Sequence, residues 1–235
     1  MEINKDVMER TINRKEIYRY LGYGTNEPES CVLALVDEAL LALLSAVKPK
    51  SIYKIYDCRT DRERVFVGGM EFKSRNLSGN LAQCDKAAVL AATLGIEADK
   101  LLQRCEVVNM AKASVLQACA AACIEAYCNL IQEEIRIAAQ KESGQTLYLR
   151  PRFSAGYGDL PLTVQKDIFR ALDCTKRIGL TLTQNLFLYP TKSVTAFIGL
   201  TANPQNCHIE KCKSCQKTDC AFRVCEEEER KDLVQ

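Results

Sequence analysis

Two stretches of this 235-residue chain carry residue types suited to chemistry. The first, YLRPRFSAGYGDLPL over residues 148–162, gathers Arg150, Arg152, Gly156, Tyr157, Gly158, Asp159 and two prolines. Prolines fix the path of the backbone, and glycines let a ligand approach it closely. An arginine fork suits a carboxylate, and a tyrosine offers a flat apolar face with a polar tip. Together they suit a ligand with a carboxylate, an aromatic ring and bare polar edges. The same composition also fits an ordered connection between a helix and a strand. The second stretch is Cys207-x4-Cys212-x2-Cys215-x4-Cys220-x4-Cys225, which places five of the thirteen cysteines within nineteen residues. A C-x2-C pair flanked by further cysteines aims several sulfurs at one centre, with Cys207, Cys212, Cys215 and Cys220 as the candidate ligands. His208 can replace one sulfur, and Lys211, Lys213, Lys217 and Arg223 would moderate the thiolate charge. Zinc would fold this tail, and an iron–sulfur cluster would let it carry electrons. A reduced, disordered tail, or cysteines that become ordered only on a partner, are the bland alternatives.

The elements that must position these groups follow from periodicity and punctuation. Apolar residues at helical spacing predict a helix over 28–47, opened by Pro28 and stopped by Pro49. Residues 51–57 and 64–72 read as strands, with Gly68-Gly69 as a bulge or bend in the second. The run 87–94 is apolar throughout and fits a buried strand or a helix equally. A short helix over 96–105 precedes a long Ala-rich one over 108–141 that Gly144 caps. Thr163 is expected to cap a helix reaching Lys176. Residues 180–182, 186–189 and 193–200 close the fold as strands, with Pro190-Thr191 turning between the last two. Residues 10–24 are polar and aromatic and end in a glycine turn. This mixture, without regular βαβ alternation, predicts an α+β fold: a mainly antiparallel, twisted sheet, flanking helices and one long central helix. The body spans 1–205, and the cysteine-rich tail with its acidic end spans 206–235.

Composition excludes several partners. The net charge is +2 with acids and bases interspersed, so there is no basic stripe for nucleic acid. The apolar stretch 31–47 is too short and too charged to cross a membrane. Residues 1–16 show no apolar signal region, so a cytoplasmic location is expected. In that reducing setting the thirteen cysteines do not predict disulfides. The eight between Cys31 and Cys174 read as small buried hydrophobes.

The motif Arg152-Phe153-Ser154-Ala155-Gly156-Tyr157 resembles the S-adenosylmethionine-binding R-x-x-x-G-Y of the activation domain of vitamin B12-dependent methionine synthase. IGLTLTQNLFLYPTKSVTAFIGL (178–200) looks like that domain's closing strands, with their LTES…WP…SVS pattern. EIYRYLGY (16–23) and AATLGIEAD (91–99) are similar to small relatives that carry the domain alone. The resemblance covers residues 10–205. It implies that Arg152 contacts the methionyl carboxylate, that Ser154 and Gly156 offer backbone groups to the adenosyl moiety, and that Tyr157 lines the pocket. Glu125, in CIEAY, matches a family acid that helps to bind the ligand. Thr146 stands where the family has a second acid, and Ile198 where it has a tyrosine. The cobalamin loop D-x-H-x-x-G is absent, because the one histidine is His208. The resemblance therefore implies a reactivation protein that docks on a cobalamin-binding methionine synthase core, or another corrinoid protein. There it would support reductive remethylation of oxidised cobalamin from S-adenosylmethionine, with flavodoxin or ferredoxin as the electron source. The alternatives are an iron–sulfur or metal-binding electron-transfer protein for a corrinoid methyltransferase, or a docking module that has lost its ligand.

Overall fold

The computed structural model describes residues 5–24, 26–205 and 207. In chain order the helices are α1 (Lys5–Thr11), α2 (Arg14–Tyr20), α3 (Ser30–Ala46), α4 (Arg75–Asn80), α5 (Ile96–Val108), α6 (Met110–Ser143), α7 (Gln165–Leu172) and α8 (Cys174–Ile178). The strands are β1 (Lys50–Asp61), β2 (Arg64–Val67), β3 (Met70–Lys73), β4 (Lys86–Thr93), β5 (Tyr148–Leu149), β6 (Thr181–Leu182), β7 (Leu188–Tyr189) and β8 (Ser193–Thr201). A six-stranded sheet runs β3-β2-β1-β4-β8-β5 with every pairing antiparallel, and β6 and β7 form a separate two-stranded ribbon. The fold is α+β, as the sequence predicts.

The centre of the sheet is covered on both faces, and β4 shows how. Ala88, Leu90 and Ala92 face the core built by α1, α2, α3, α5 and the 34-residue α6. Ala87, Val89 and Ala91 face the second core, under α4, α7 and α8. A strand buried on both sides reads as a continuous apolar run, which is why periodicity left 87–94 open between strand and helix. Its alanines are favourable for a helix. Here tertiary packing overrides that preference, because small side chains let helix layers approach from both sides.

α6 is the spine of the first core. By length and composition it could cross a bilayer, but two thirds of its most apolar window is buried inside the protein. Asn109 caps its start, accepting from the Lys112 N–H at 3.0 Å, and Gly144 ends it in the left-handed conformation. Cys119, Cys123 and Cys128 lie in this core, where burial pushes their thiols up to about 12. They are small hydrophobes, as expected. Cys58, Cys84 and Cys174 are buried as well, whereas Cys31 is exposed and Cys105 half-buried.

Three local expectations are corrected. Gly68-Gly69 marks neither a bulge nor a bend: both residues have positive φ and form the two-residue reversal between β2 and β3, a type of turn that glycine pairs favour. Thr163 is not an N-cap. It sits inside a 3-10 turn (Leu162–Val164) that leads directly into α7. The helix expected to reach Lys176 breaks at Asp173, whose φ of 54° separates α7 from α8. Residues 10–24 end in the expected glycine turn, with Gly22 and Gly24 at positive φ, and also contain α2, capped by the Asn13 side chain on the Lys15 N–H. Of the three closing strands, only β8 joins the main sheet.

Candidate functional site

β8 has two different outer edges. At its C-terminal end β5 pairs with it, Tyr148 opposite Thr201 and Leu149 opposite Leu200. The chain then leaves the sheet through Pro151 and touches β8 once more, where Phe153 and Phe197 exchange hydrogen bonds of 2.9 and 2.8 Å. Beyond that bridge, among the described residues, no strand covers β8 at Ser193, Val194 and Thr195. A cleft of about 440 Å³ occupies this open edge. Its walls come from the 151–157 loop, from Glu125 on α6, from Asn80 at the end of α4, from Gln165 at the start of α7, and from Leu188.

Four of the five residues expected to bind the ligand line this cleft: Glu125, Arg152, Ser154 and Tyr157. Arg152 crosses to α6. Its Nη2 donates to Glu125 Oε2 at 2.5 Å, and its Nη1 donates to Asn129 Oδ1 at 2.8 Å and to Gln132 Oε1. The arginine side chain is 13% exposed and the glutamate 48%, so the pair sits half in water on the cleft wall. A guanidinium carries more N–H groups than these three acceptors use, so the fork keeps donors for a ligand. Asn129 and Gln132 follow Glu125 by one and two helical turns, which presents all three acceptors on one stripe of α6. Tyr20 of α2 lies within electrostatic reach of Glu125. Burial, then the charges of Glu16 and Glu125, raise its phenol pKa, partly offset by Arg19.

Gly156, the fifth expected residue, stands behind the lining. Its φ is +87°, and a Cβ there would lie 3.2 Å from Leu162 Cδ1. Its N–H donates to the Leu160 carbonyl at 2.9 Å, and the Tyr157 N–H donates to the Ser154 carbonyl at 3.2 Å. The loop's own turn thus takes up backbone groups expected for the adenosyl moiety. Asp159 then pins the loop to α4, accepting from the N–H groups of Arg75 at 2.7 Å and Asn76 at 3.1 Å and from the Ser74 hydroxyl. The Ser74 bond is the main reason its carboxyl is held below its ordinary value.

Arg150, two residues from Arg152, does something else. It is 3% exposed, its N–H bonds the Gly199 carbonyl at 2.8 Å, and its guanidinium donates to the carbonyls of Ala82 at 2.9 Å and Gln205. It seals the closed edge of β8. Of the tail, Cys207 is half-buried with Sγ 3.5 Å from the Asn203 carbonyl, while Cys212, Cys215, Cys220 and His208 lie outside the described residues. Among the described residues, no cluster of three or more His, Cys, Asp or Glu is placed to hold a metal. A second hollow of about 480 Å³, beside Tyr56, Arg59, Phe66 and Lys86, contains none of the expected residues.

Asn80, Gln165 and Thr195 were missed by the sequence reading. They are scattered polar residues on separate elements, without a motif spacing to mark them.

The model of one protein family, described as vitamin B12 dependent methionine synthase, activation domain, matches residues 76–224. No curated protein matches the chain. Among solved structures, a crystal structure of the MetH reactivation domain bound to AdoHcy is similar, with a TM-score of 0.64 and 16% identity over 85% of this chain and 77% of that one.

Proposed function

We propose that this chain, which belongs to the activation-domain family of vitamin B12-dependent methionine synthases, binds S-adenosylmethionine at the open edge of β8 and serves a separate cobalamin-carrying protein. The observation that carries this reading is the Arg152–Glu125 pair at 2.5 Å on the cleft wall. The AdoHcy bound in the MetH reactivation domain supports it.

The residues present fit the ligand. An amino-acid end has one negative and one positive group. Arg152 would hold the carboxylate, and Glu125 would accept from the ammonium, so one ion pair within the protein becomes two across the interface. The cleft volume of about 440 Å³ falls within the roughly 300–1,000 Å³ of small-molecule sites. Phe153, Leu188 and Val194 supply an apolar wall for the nucleoside. Tyr157, 69% exposed in the cleft lining, would offer its ring to a sulfonium.

When bound, S-adenosylmethionine supplies an activated methyl group for cobalt on the partner, drawing reduction of oxidised cobalamin forward. The role of this chain is to orient that group and keep water from it, with no general base required. The partner is a cobalamin-binding methionine synthase core or another corrinoid protein in the cytoplasm, with flavodoxin or ferredoxin as reductant. Cys207, Cys212, Cys215 and Cys220 enter as thiolate ligands for zinc or an iron–sulfur cluster, which metal and sulfide analysis of anaerobically purified protein checks.

Calorimetry tests the reading. The wild type is expected to bind S-adenosylmethionine, and Arg152→Ala is expected to lose about 1.5–3 kcal/mol, the range for a hydrogen bond to a charged group. With a reductant and an oxidised corrinoid partner, the wild type should restore a methyl–cobalt absorption spectrum. Absence of binding by the wild type, even with the partner present, overturns the proposal.

A further inference from the structure

The cleft has a second polar feature that the amino-acid end of a ligand does not use. Thr195 Oγ1 donates to Gln165 Oε1 at 2.7 Å, and both side chains are almost fully buried, at 2% and 5% exposure. Both residues line the cleft. Burying a carboxamide is costly unless its polar atoms find partners. Among the described residues Thr195 is the hydrogen-bond partner of this carboxamide, and it occupies the oxygen. The Nε2 donors are left to face the cleft.

The β8 backbone adds to this. Successive peptide groups of a strand alternate in direction, so residues two apart bond the same side. Gly199 and Phe197 both bond outward, to Arg150 and Phe153. The same alternation turns the N–H and C=O of Thr195 outward, at the uncovered part of the edge. A fixed amide donor and a strand-edge donor–acceptor pair therefore converge on one region. Arg152 and Glu125 lie on the α6 side of the sheet edge, and Gln165 belongs to α7 on the other face.

Resting on the ligand class proposed above, we infer that Gln165 reads the nucleobase, with Thr195 as its positioning residue. Gln165 Nε2 donates to a ring nitrogen of adenine, and the Thr195 carbonyl accepts from the adenine exocyclic amine. An adenine edge presents that pairing of donor and acceptor to a carboxamide. Hypoxanthine does not, because an oxygen replaces the amine and would face the Thr195 carbonyl.

The test is calorimetry with S-adenosylhomocysteine and S-inosylhomocysteine on the full chain. The wild type should prefer the adenosyl compound by about tenfold or more, as expected when a buried polar group is left unpaired by the wrong ligand. Gln165→Ala should weaken the adenosyl compound by about tenfold and shrink the preference to under about threefold. Gln165→Met, of similar length, should do the same if the alanine variant does not fold. Thr195→Val should reduce the preference while Arg152→Ala weakens both nucleosides in proportion and keeps it. A wild type that binds both compounds equally, or a folded Gln165 variant that keeps the wild-type preference, overturns the inference and leaves the ligand class standing. Binding of neither compound by the wild type overturns the ligand class and this inference with it.

Discussion

The two ends of β8 carry the same kind of backbone and are put to opposite uses. At Gly199 and Leu200 the edge is covered by β5 and sealed by Arg150. At Ser193, Val194 and Thr195 it is left open, and the walls of a cleft stand around it. Two arginines, one proline apart, divide between these ends. Arg150 turns inward onto backbone carbonyls, where its charge holds the closed edge together. Arg152 turns outward onto side chains of α6, in reach of a ligand. The same residue type is a structural rivet where the sheet edge is finished and a proposed binding group where it is not.

The largest expected effect lies at the closed end. Arg150→Ala leaves the Ala82 and Gln205 carbonyls without their charged donor, and should cost about 3 kcal/mol or more of unfolding free energy in a denaturant titration. Gly199→Ala belongs to the same end. A Cβ there would lie 2.5 Å from Cys84 Sγ and 2.9 Å from Arg150 Cγ, so overpacking should cost roughly 1–3 kcal/mol. Either variant showing wild-type stability would break the contrast between the ends.

At the open end the effects should appear in binding. Gly156→Ala forces an L side chain to a φ of +87° beside Leu162, and the strain of about 1–2 kcal/mol should weaken ligand binding through the loop. Glu125→Gln removes a half-exposed charge and should cost only about 0.2–1 kcal/mol of affinity, as solvent screening of exposed pairs implies.

The smallest effect concerns pH. Asp159 has its folded-state pKa lowered beneath its ordinary value of 3.8, chiefly by the Ser74 hydroxyl. Its stabilising contribution is therefore complete above that ordinary value and is lost as pH falls through the depressed one. Melting temperatures of the wild type and Asp159→Ala should differ across the neutral range and converge in strong acid. A gap that persists there would remove Asp159's charge from the account of how the loop is fixed.

The sequence exposes these features unevenly. The long helix, its glycine cap and the antiparallel sheet are written in periodicity and punctuation, and the structure follows them. The 151–157 loop is visible because its motif gathers arginine, glycine and tyrosine in one short run. Arg150 and Arg152 look alike in that run, and only the end of β5 at Leu149 and the turn at Pro151 send them to different neighbours. Gln165 and Thr195 are invisible for a related reason. Their meaning comes from a contact between residues 30 apart in sequence and from the part of a strand edge that stays uncovered.

Amide hydrogen exchange with and without saturating S-adenosylhomocysteine addresses the division of β8 most directly. Protection should rise at residues 151–157 and 193–195 and stay unchanged at 199–201, where the edge is already sealed. Ligand-dependent protection confined to other parts of the chain, with none at 193–195, would contradict the assignment of the open edge as the binding site.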